Sequence, residues 1–514
     1  MSGARISQPE VTFTNVAAQI PITNAPQKVL MVGTKNSLGT AKEKTLIHID
    51  STDTYKTLFG NSQLTDMIDV FKKTNILSHL DVIALDPLTS AAATQTVVVT
   101  GTATGSGSFT LYYGNMDKRI NVAVANQDNA ETIAENIKDA INKNTALPVT
   151  ATHTSATVTT TYRYHGKEGN DCSVMIEGSA PGISIKLTKF TNGAGDYLLD
   201  DTFFDVVHDA RYQTVVWPLP DSLDVVKDFL EPRWNVKNNV LDGVSITCKQ
   251  CAHSTALDAL KDKNEKTSVY FFNQLYPTSD YRKGGVMFAM PAEIAASVGA
   301  FRSLRYTADS LLTPYLTTSA GLDQFGGPAL GALPYFNTLY PFLPTLDTGT
   351  GFTEQEVEQL AELGGSVLGN NRTQTDIIAG EFHTTYKTDP AGNQDLTYKY
   401  LNNVDVQSIA REYFYLNTKK RFAQSRLTTG GVFVGRDMAN EGIIRSFLIG
   451  LYKTLSGPDY VITQAGAEFV DYFDENLNIT LDMTRGKITI FMKVCFVTQA
   501  RIFNGTIEFA FSIT

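Results

Sequence analysis

The strand–helix–strand rhythm of this chain is interrupted once and then resumes, which limits the folds open to it. Val29-Leu30-Met31-Val32 is a short apolar run closed by Gly33, as expected of a buried central strand. Leu64, Met67, Ile68 and Phe71 follow at helical spacing behind Ser62 as N-cap, and residues 81–85 read as another strand. Strand, helix and strand in succession imply a parallel α/β layer. The pattern returns after Asn192-Gly193-Ala194-Gly195, with strands expected at 214–217, 244–247 and 268–272 and helices at 223–230 and 254–263. Between the two blocks, Ala91 to about Ile185 is rich in Thr, Ala, Val and Gly, with strands expected at 96–100, 108–113 and 157–164. One helix interrupts them, with Asp128 as its expected cap and Ile133, Ile137 and Ile141 on one face. The reading is a split α/β core with a compact α+β insertion.

The 514 residues are too many for one core, and about 150 residues per domain suggests roughly three domains. Hydrophobic residues make up 42%, enough to bury a sizeable core, whereas charged residues reach only 19%, below the usual ~25%. A net charge of −10 argues against a nucleic-acid binder, whose footprint is a basic surface. No apolar run reaches the ~18 residues of a membrane span, since Pro291 and Glu293 break the best stretch at 286–301. Residues 1–10 hold no apolar secretory segment, and four cysteines fit a reducing cytoplasm better than a disulfide scaffold.

Both ends of the chain offer unpaired strands. Ile507, Phe509, Phe511 and Ile513 alternate with polar or small residues up to Thr514, the period-2 pattern of a half-buried strand. Upstream, 478–483 and 488–497 flank Thr484-Arg485-Gly486 and read as a hairpin, Gly486 supplying the positive φ of the turn. The segment 498–505 is long enough to carry the last strand onto a neighbouring molecule. Val11-Thr12-Phe13-Thr14 alternates in the same way near the start, and reads either as a frayed terminus or as a second pairing arm. Helices are expected after the Thr353/Glu356 capping box, with Gly364 as the stop, then at 405–426 and at 441–455. The stripe Ile444, Phe447, Leu448, Leu451 and Leu455 reads as core packing.

Catalytic signatures are near misses. Residues 430–436 space two glycines as a phosphate loop does, but Arg436-Asp437 stands where Lys and a hydroxyl residue are needed. Gly33 to Gly39 follows a strand without a closing lysine, and Asp347-Thr348-Gly349 lacks a second copy to share a proton. Cys248 and Cys251 are expected between a strand and a helix, where a helix N-terminus would lower a thiol pKa. Against a redox role, the intervening Lys249-Gln250 carries no oxidoreductase signature and a zinc site would need ligands beyond His253, so a pair of inert thiols is the expected reading. No cofactor is expected.

The chain resembles the contractile tail sheath proteins of myoviruses, in particular the phage Mu-like branch, over nearly its whole length. The resemblance rests on the order of Leu58-Phe59-Gly60, Val82 to Leu85, Gly101-Thr102-Ala103, Leu147 to Ala151 and His165 to Asp171. It continues through Gly193-Ala194-Gly195, Arg233-Trp234, Thr384-Thr385-Tyr386, Tyr400-Leu401 and Val404-Asp405. It implies an α/β multidomain fold: a split α/β core of the subtilisin-like sheath topology without protease function, an inserted α+β domain, a C-terminal α+β domain and extended arms. The implied segments are an N-terminal arm (1–26), a first α/β core segment (27–89), an inserted surface domain (90–192) and a second α/β core segment (193–395), then a C-terminal sheath domain (396–500) and an arm strand (501–514).

The resemblance further implies a non-enzymatic subunit of the virion tail, made in the host cytoplasm. Its copies stack as six-membered rings around a tail tube between baseplate and tail terminator proteins, without nucleic acid or membrane insertion. Intersubunit strand pairing is assigned to Val11, Phe13, Ile488, Ile490, Ile507, Phe509, Phe511 and Ile513. Lys419, Lys420, Arg421 and Arg426 are candidates for the tube-facing surface, with a solvated helix face as the alternative. Two other readings stand beside this one: the sheath of a bacteriocin or secretion device, and a peptidase on the same scaffold. For the latter, His48, His165 and Asp50 offer no recognisable signature.

Overall fold

The computed structural model describes residues 27–497 except 51, 53, 77, 236–239, 275–287, 312–338, 341–350, 371–376, 380, 432–436 and 458–461. The first core segment contains β1 (Lys28–Thr34), β2 (Leu46–Ile49), the short helix α1 (Tyr55–Phe59), α2 (Gln63–Thr74) and β3 (His79–Leu85). Ser62 caps α2, its hydroxyl accepting from the Thr65 amide at 3.2 Å. β1 and β3 are parallel, and β2 adds to β3 as an antiparallel edge strand. β2 goes beyond the sequence expectation because Leu46-Ile47-His48-Ile49 is too short to show a period.

The insertion folds around its own core. It comprises β4 (Ala92–Gly101), β5 (Gly107–Tyr113), β6 (Asn115–Val124), α3 (Ala130–Lys143), β7 (Val149–Thr154), β8 (Thr157–His165), β9 (Val174–Ser179) and β10 (Ile183–Leu187). Two antiparallel sheets result, one ordered β10-β4-β8-β7 and the other β6-β5-β9. Ile133, Ile137 and Ile141 of α3 are fully buried with Val97, Leu111 and Val149. The cap of α3 is Asn129, whose Oδ1 accepts from the Thr132 amide at 2.8 Å. Asp128, the residue expected there, closes the preceding turn by accepting from the Ala125 amide.

The chain then returns through β11 (Thr214–Val216), α4 (Leu223–Leu230), β12 (Val244–Cys251), α5 (His253–Leu260), β13 (Ser268–Gln274), α6 (Pro291–Leu311), β14 (Leu339–Tyr340), α7 (Glu354–Glu362), β15 (Gly365–Asn370) and β16 (Ile377–Ala379). These complete a nine-stranded sheet ordered β14-β16-β15-β13-β12-β11-β1-β3-β2, whose six central strands are parallel. Strand alternation sorts its side chains. Val29, Met31, Val82, Val216 and Ile246 face α2 and α6, whereas Leu30, Val32, Ile83, Val215 and Tyr270 face α4, α5 and α7.

The apolar stretch that Pro291 and Glu293 interrupt contributes to α6, where Ile294, Val298 and Phe301 are fully buried. α6 lies so close to the sheet that a Cβ at Gly299 would stand 2.6 Å from the Val216 Cγ2. Among the described residues, no helix is long and apolar enough to cross a membrane.

The C-terminal region consists of α8 (Leu401–Phe422), β17 (Arg426–Leu427), β18 (Met438–Ala439), α9 (Glu441–Leu455), α10 (Ala467–Glu475), β19 (Asn478–Asp482) and β20 (Lys487–Phe491). α8 starts four residues before the expected Asp405, because Val404 and Asp405 are buried inside the helix rather than at its mouth. Leu401, Ile409, Ile444, Leu448, Phe473 and Ile479 join the same apolar cluster as Val29 and Phe301. The α/β core and the C-terminal elements therefore share one hydrophobic interior.

Candidate assembly interface

The β19–β20 hairpin is built locally. The Asp482 carboxylate accepts from the amides of Thr484 at 3.0 Å and Arg485 at 3.1 Å, and Gly486 takes φ +61° to close the turn. Ile479 pairs with Ile490 and Leu481 with Ile488, so all four fall on one face of the ribbon. That face packs on the core, where Ile479 is buried and Leu481, Ile488 and Ile490 are half-buried. Thr480, Thr489 and Phe491 turn outward, Phe491 with 58% of its surface exposed.

Among the described residues this sheet has two strands and no more, so each strand keeps one edge without a neighbour. Open edges are templates for strand addition. The side chains of Ile488 and Ile490 are committed to the chain's own core, which leaves the backbone as the pairing element. Beyond β20 the chain doubles back, the Gln464 amide donating to the Cys495 carbonyl at 2.9 Å and the Val497 amide to that of Ile462 at 3.0 Å. Val11, Phe13, Ile507, Phe509, Phe511 and Ile513 lie outside the described residues.

The four candidate tube contacts are all exposed. Lys419, Lys420 and Arg421 form the last turn of α8, where cations complement the helix dipole. Lys419 donates to the Tyr415 hydroxyl at 3.1 Å, and Arg421 pairs with Asp437 at 3.2 Å. Arg426 follows in β17, its amide donating to the Asp437 carbonyl. The structure thus gathers the four around one end of α8, with Asp437 offsetting some of the charge.

The cysteine pair is buried, in accord with the expected inert thiols. Both cysteines lie within β12, which runs four residues beyond the expected strand end, and α5 begins only at His253 with Ala252 as N-cap. Burial pushes the Cys248 thiol far up and that of Cys251 up to about 12, the opposite of the shift a redox thiol needs. His253 stands 3.8 Å from Glu356, which belongs to the Thr353 capping box. The residues considered for hydrolysis have unrelated partners: Asp50 accepts from Thr52, His165 bonds the Ser90 carbonyl and His48 contacts Asp81. Residues 432–436 and 347–349 lie outside the described residues.

Two features escape the sequence. Glu168, on the 3₁₀ turn Lys167–Asp171, accepts from the Gln63 side-chain Nε2 of α2 across the junction of insertion and core. Nearby, Glu293 of α6 accepts from Asn115 at 2.8 Å. Burial pushes Glu168 and Glu293 up to about 8, and Asp171 up to about 7. A cleft of residues from both units, including Leu88, Lys167, Tyr197 and Pro291, opens beside Glu168. The other feature is a His48, His79, Asp81 group at the sheet edge, hidden because β2 shows no sequence period.

A split α/β core, an insertion with its own apolar cluster and a two-stranded ribbon define a multidomain mixed α/β protein. No family model matches the chain. It is 25% identical over 521 aligned residues to the Mu-like prophage FluMu tail sheath protein of Haemophilus influenzae, covering 99% of this chain and 98% of that one. The chain is thus similar over its whole length to a tail sheath protein of a Mu-like prophage. Among solved structures, the sheath tail protein Lin1278 from Listeria innocua aligns over 93% of each chain at 12% identity with a TM-score of 0.45. A chain of the contracted anti-feeding prophage baseplate aligns over 99% of this chain and 98% of its own at 10% identity, with a TM-score of 0.44.

Proposed function

We propose that this chain is the repeating subunit of a contractile tail sheath, which polymerises around a tail tube and contracts to drive the tube through the host envelope. The observation that carries the reading is the whole-length likeness to a tail sheath protein. The β19–β20 ribbon supports it, because its edges have no neighbour among the described residues and lie just upstream of an amphipathic strand pattern. A strand donated by a neighbouring copy would extend the ribbon through main-chain hydrogen bonds, which do not depend on how the rigid cores rotate. Such a tether keeps subunits connected while the assembly shortens. Assembly on the tube traps an extended packing of higher free energy, and contraction releases it into a state with more subunit contact, so no nucleotide is consumed.

In this reading the core has the subtilisin-like sheath topology and no enzymatic role, and copies stack as six-membered rings in the virion tail, meeting tube, baseplate and terminator proteins. The segments 1–26 and 501–514 are the arms, 90–192 is a surface domain and 396–500 carries the ribbon. Lys419, Lys420, Arg421 and Arg426 form a basic patch that grips an acidic tube loosely enough to slide. Negative-stain electron microscopy of the full chain beside a version ending at Arg501 tests the proposal. Cylinders or rings from the full chain, and only soluble folded subunits from the truncation, are expected. A full chain that stays monomeric with its tube present overturns it.

A further inference from the structure

Among the described residues β2 forms one edge of the nine-stranded sheet, and it carries a constellation that strand pairing does not use. β2 runs antiparallel to β3, and His48 sits opposite Asp81 in the register. His79 precedes Asp81 by two residues, so strand alternation turns both to one face, where His48 joins them. His48 Nδ1 lies 3.0 Å and His79 Nε2 2.9 Å from the same Asp81 Oδ1, and the two rings stack with centroids 4.0 Å apart. Asp81 is buried, and its other oxygen accepts from the hydroxyl of buried Tyr212 at 2.6 Å. Two imidazoles thus converge on one carboxylate oxygen whose direction is fixed from behind.

We propose that His48, His79 and Asp81 bind one divalent transition-metal ion of zinc-like preference, with Tyr212 holding the carboxylate. One donor atom from each of the three lies within 4.8 Å of the others. Metal–nitrogen bonds of about 2.0–2.1 Å in a tetrahedral site separate ligand atoms by roughly 3.3 Å, so the present contacts need to open by only a few tenths of an ångström. Two histidines and a carboxylate form a three-ligand face that leaves the remaining positions to water.

A ring nitrogen donating to the Asp81 carboxylate carries the proton; on metal binding each neutral ring takes the other tautomer, with its proton on the outer nitrogen and a lone pair toward the metal. No proton need leave the site. The cleft in front is lined by Asp50, Phe71, Lys72 and Asn75, and half the His48 side chain is exposed, which provides an entry path. Lys72, the cation of this cleft, donates to the Thr52 carbonyl at 3.2 Å and lies over the Tyr55 ring.

The test is titration of tag-free, chelator-stripped full-length protein with zinc chloride by calorimetry, and with cobalt chloride by visible absorption. One zinc per chain is expected, weakened at least tenfold in His48→Ala and in His79→Ala. Tyr212→Phe, which removes an outer-shell partner, is expected to weaken binding about 10- to 100-fold. The cobalt protein is expected to show an absorption band that His48→Ala abolishes. His48 is exposed enough that its variant should fold, and thermal melting without metal checks this. Uptake of zinc by the wild type no greater than by folded His48→Ala overturns the proposal.

Discussion

Single residues decide how the pieces of this molecule hold together. Arg302 of α6 is buried and pairs with buried Asp405 of α8, while its guanidinium also donates to the Gln213 carbonyl at 2.6 Å. One side chain thereby joins the central helix, the start of β11 and the C-terminal elements. Asp405→Ala leaves that guanidinium without its carboxylate, and the expected cost is about 3–5 kcal/mol, read as a lower urea midpoint at unchanged slope. Buried carboxyls at the insertion junction set a pH dependence. Glu168 and Glu293 titrate at about 8 when folded and near ~4.3 when unfolded, so the folded state binds more protons between these values. Stability is therefore full below the unfolded pKa and declines as pH rises through about 8. A higher melting temperature at about pH 5.5 than at about pH 8.5 is expected, and Glu168→Gln with Glu293→Gln should flatten the difference. None of these partners can be read from the sequence, since Glu168 meets Gln63 and Glu293 meets Asn115 only through the fold.

At the scale of elements, legibility follows how local the cause is. α9 spans Glu441–Leu455 as expected, because an apolar stripe and the Asn440 cap are written within its own residues. α4 is equally legible, whereas the start of α8 is not: Tyr400 provides no side-chain cap there, and burial around the first turns erases the polar–apolar contrast. β12 runs on past its expected end because pairing with β13 extends to Cys251, and pairing is not a local property. The cap of α3 is displaced by one residue, Asp128 and Asn129 being equally plausible by type. Asn129→Ala is expected to cost about 1 kcal/mol in chemical denaturation, and Asp128→Ala less, since only Asn129 satisfies a first-turn amide of the helix. The edge histidine–aspartate group is invisible for a related reason: His79 and Asp81 show a strand spacing, but nothing in residues 46–49 announces that His48 lies beside them.

For the whole molecule, the two-block α/β pattern suffices to foresee a split core, and the alternating C-terminus suffices to pose the question of a partner strand. The partner itself is not encoded in contacts of one chain. The insertion leaves and rejoins the core at one place: Thr94 and Thr191 exchange both backbone hydrogen bonds, and the Ala91 carbonyl accepts from the Ala194 amide at 3.1 Å. Deleting residues 92–193 and bridging the gap with a short glycine–serine linker should leave a cooperatively melting core that still polymerises, as judged by electron microscopy. A folded core that no longer polymerises would show that the insertion contributes to assembly. The Leu187 and Phe190 side chains belong to the insertion's own apolar cluster, so a cut at 185 would strand them in water.

The pinned ends have a consequence on a longer timescale. A stretch that begins and ends at neighbouring points, and buries its apolar residues largely within itself, is a genetic cassette: recombination can exchange it without asking the nine-stranded sheet to adapt. Lineages carrying this core are expected to differ most in length and sequence between residues 92 and 193, while the positions that face α6 drift slowly.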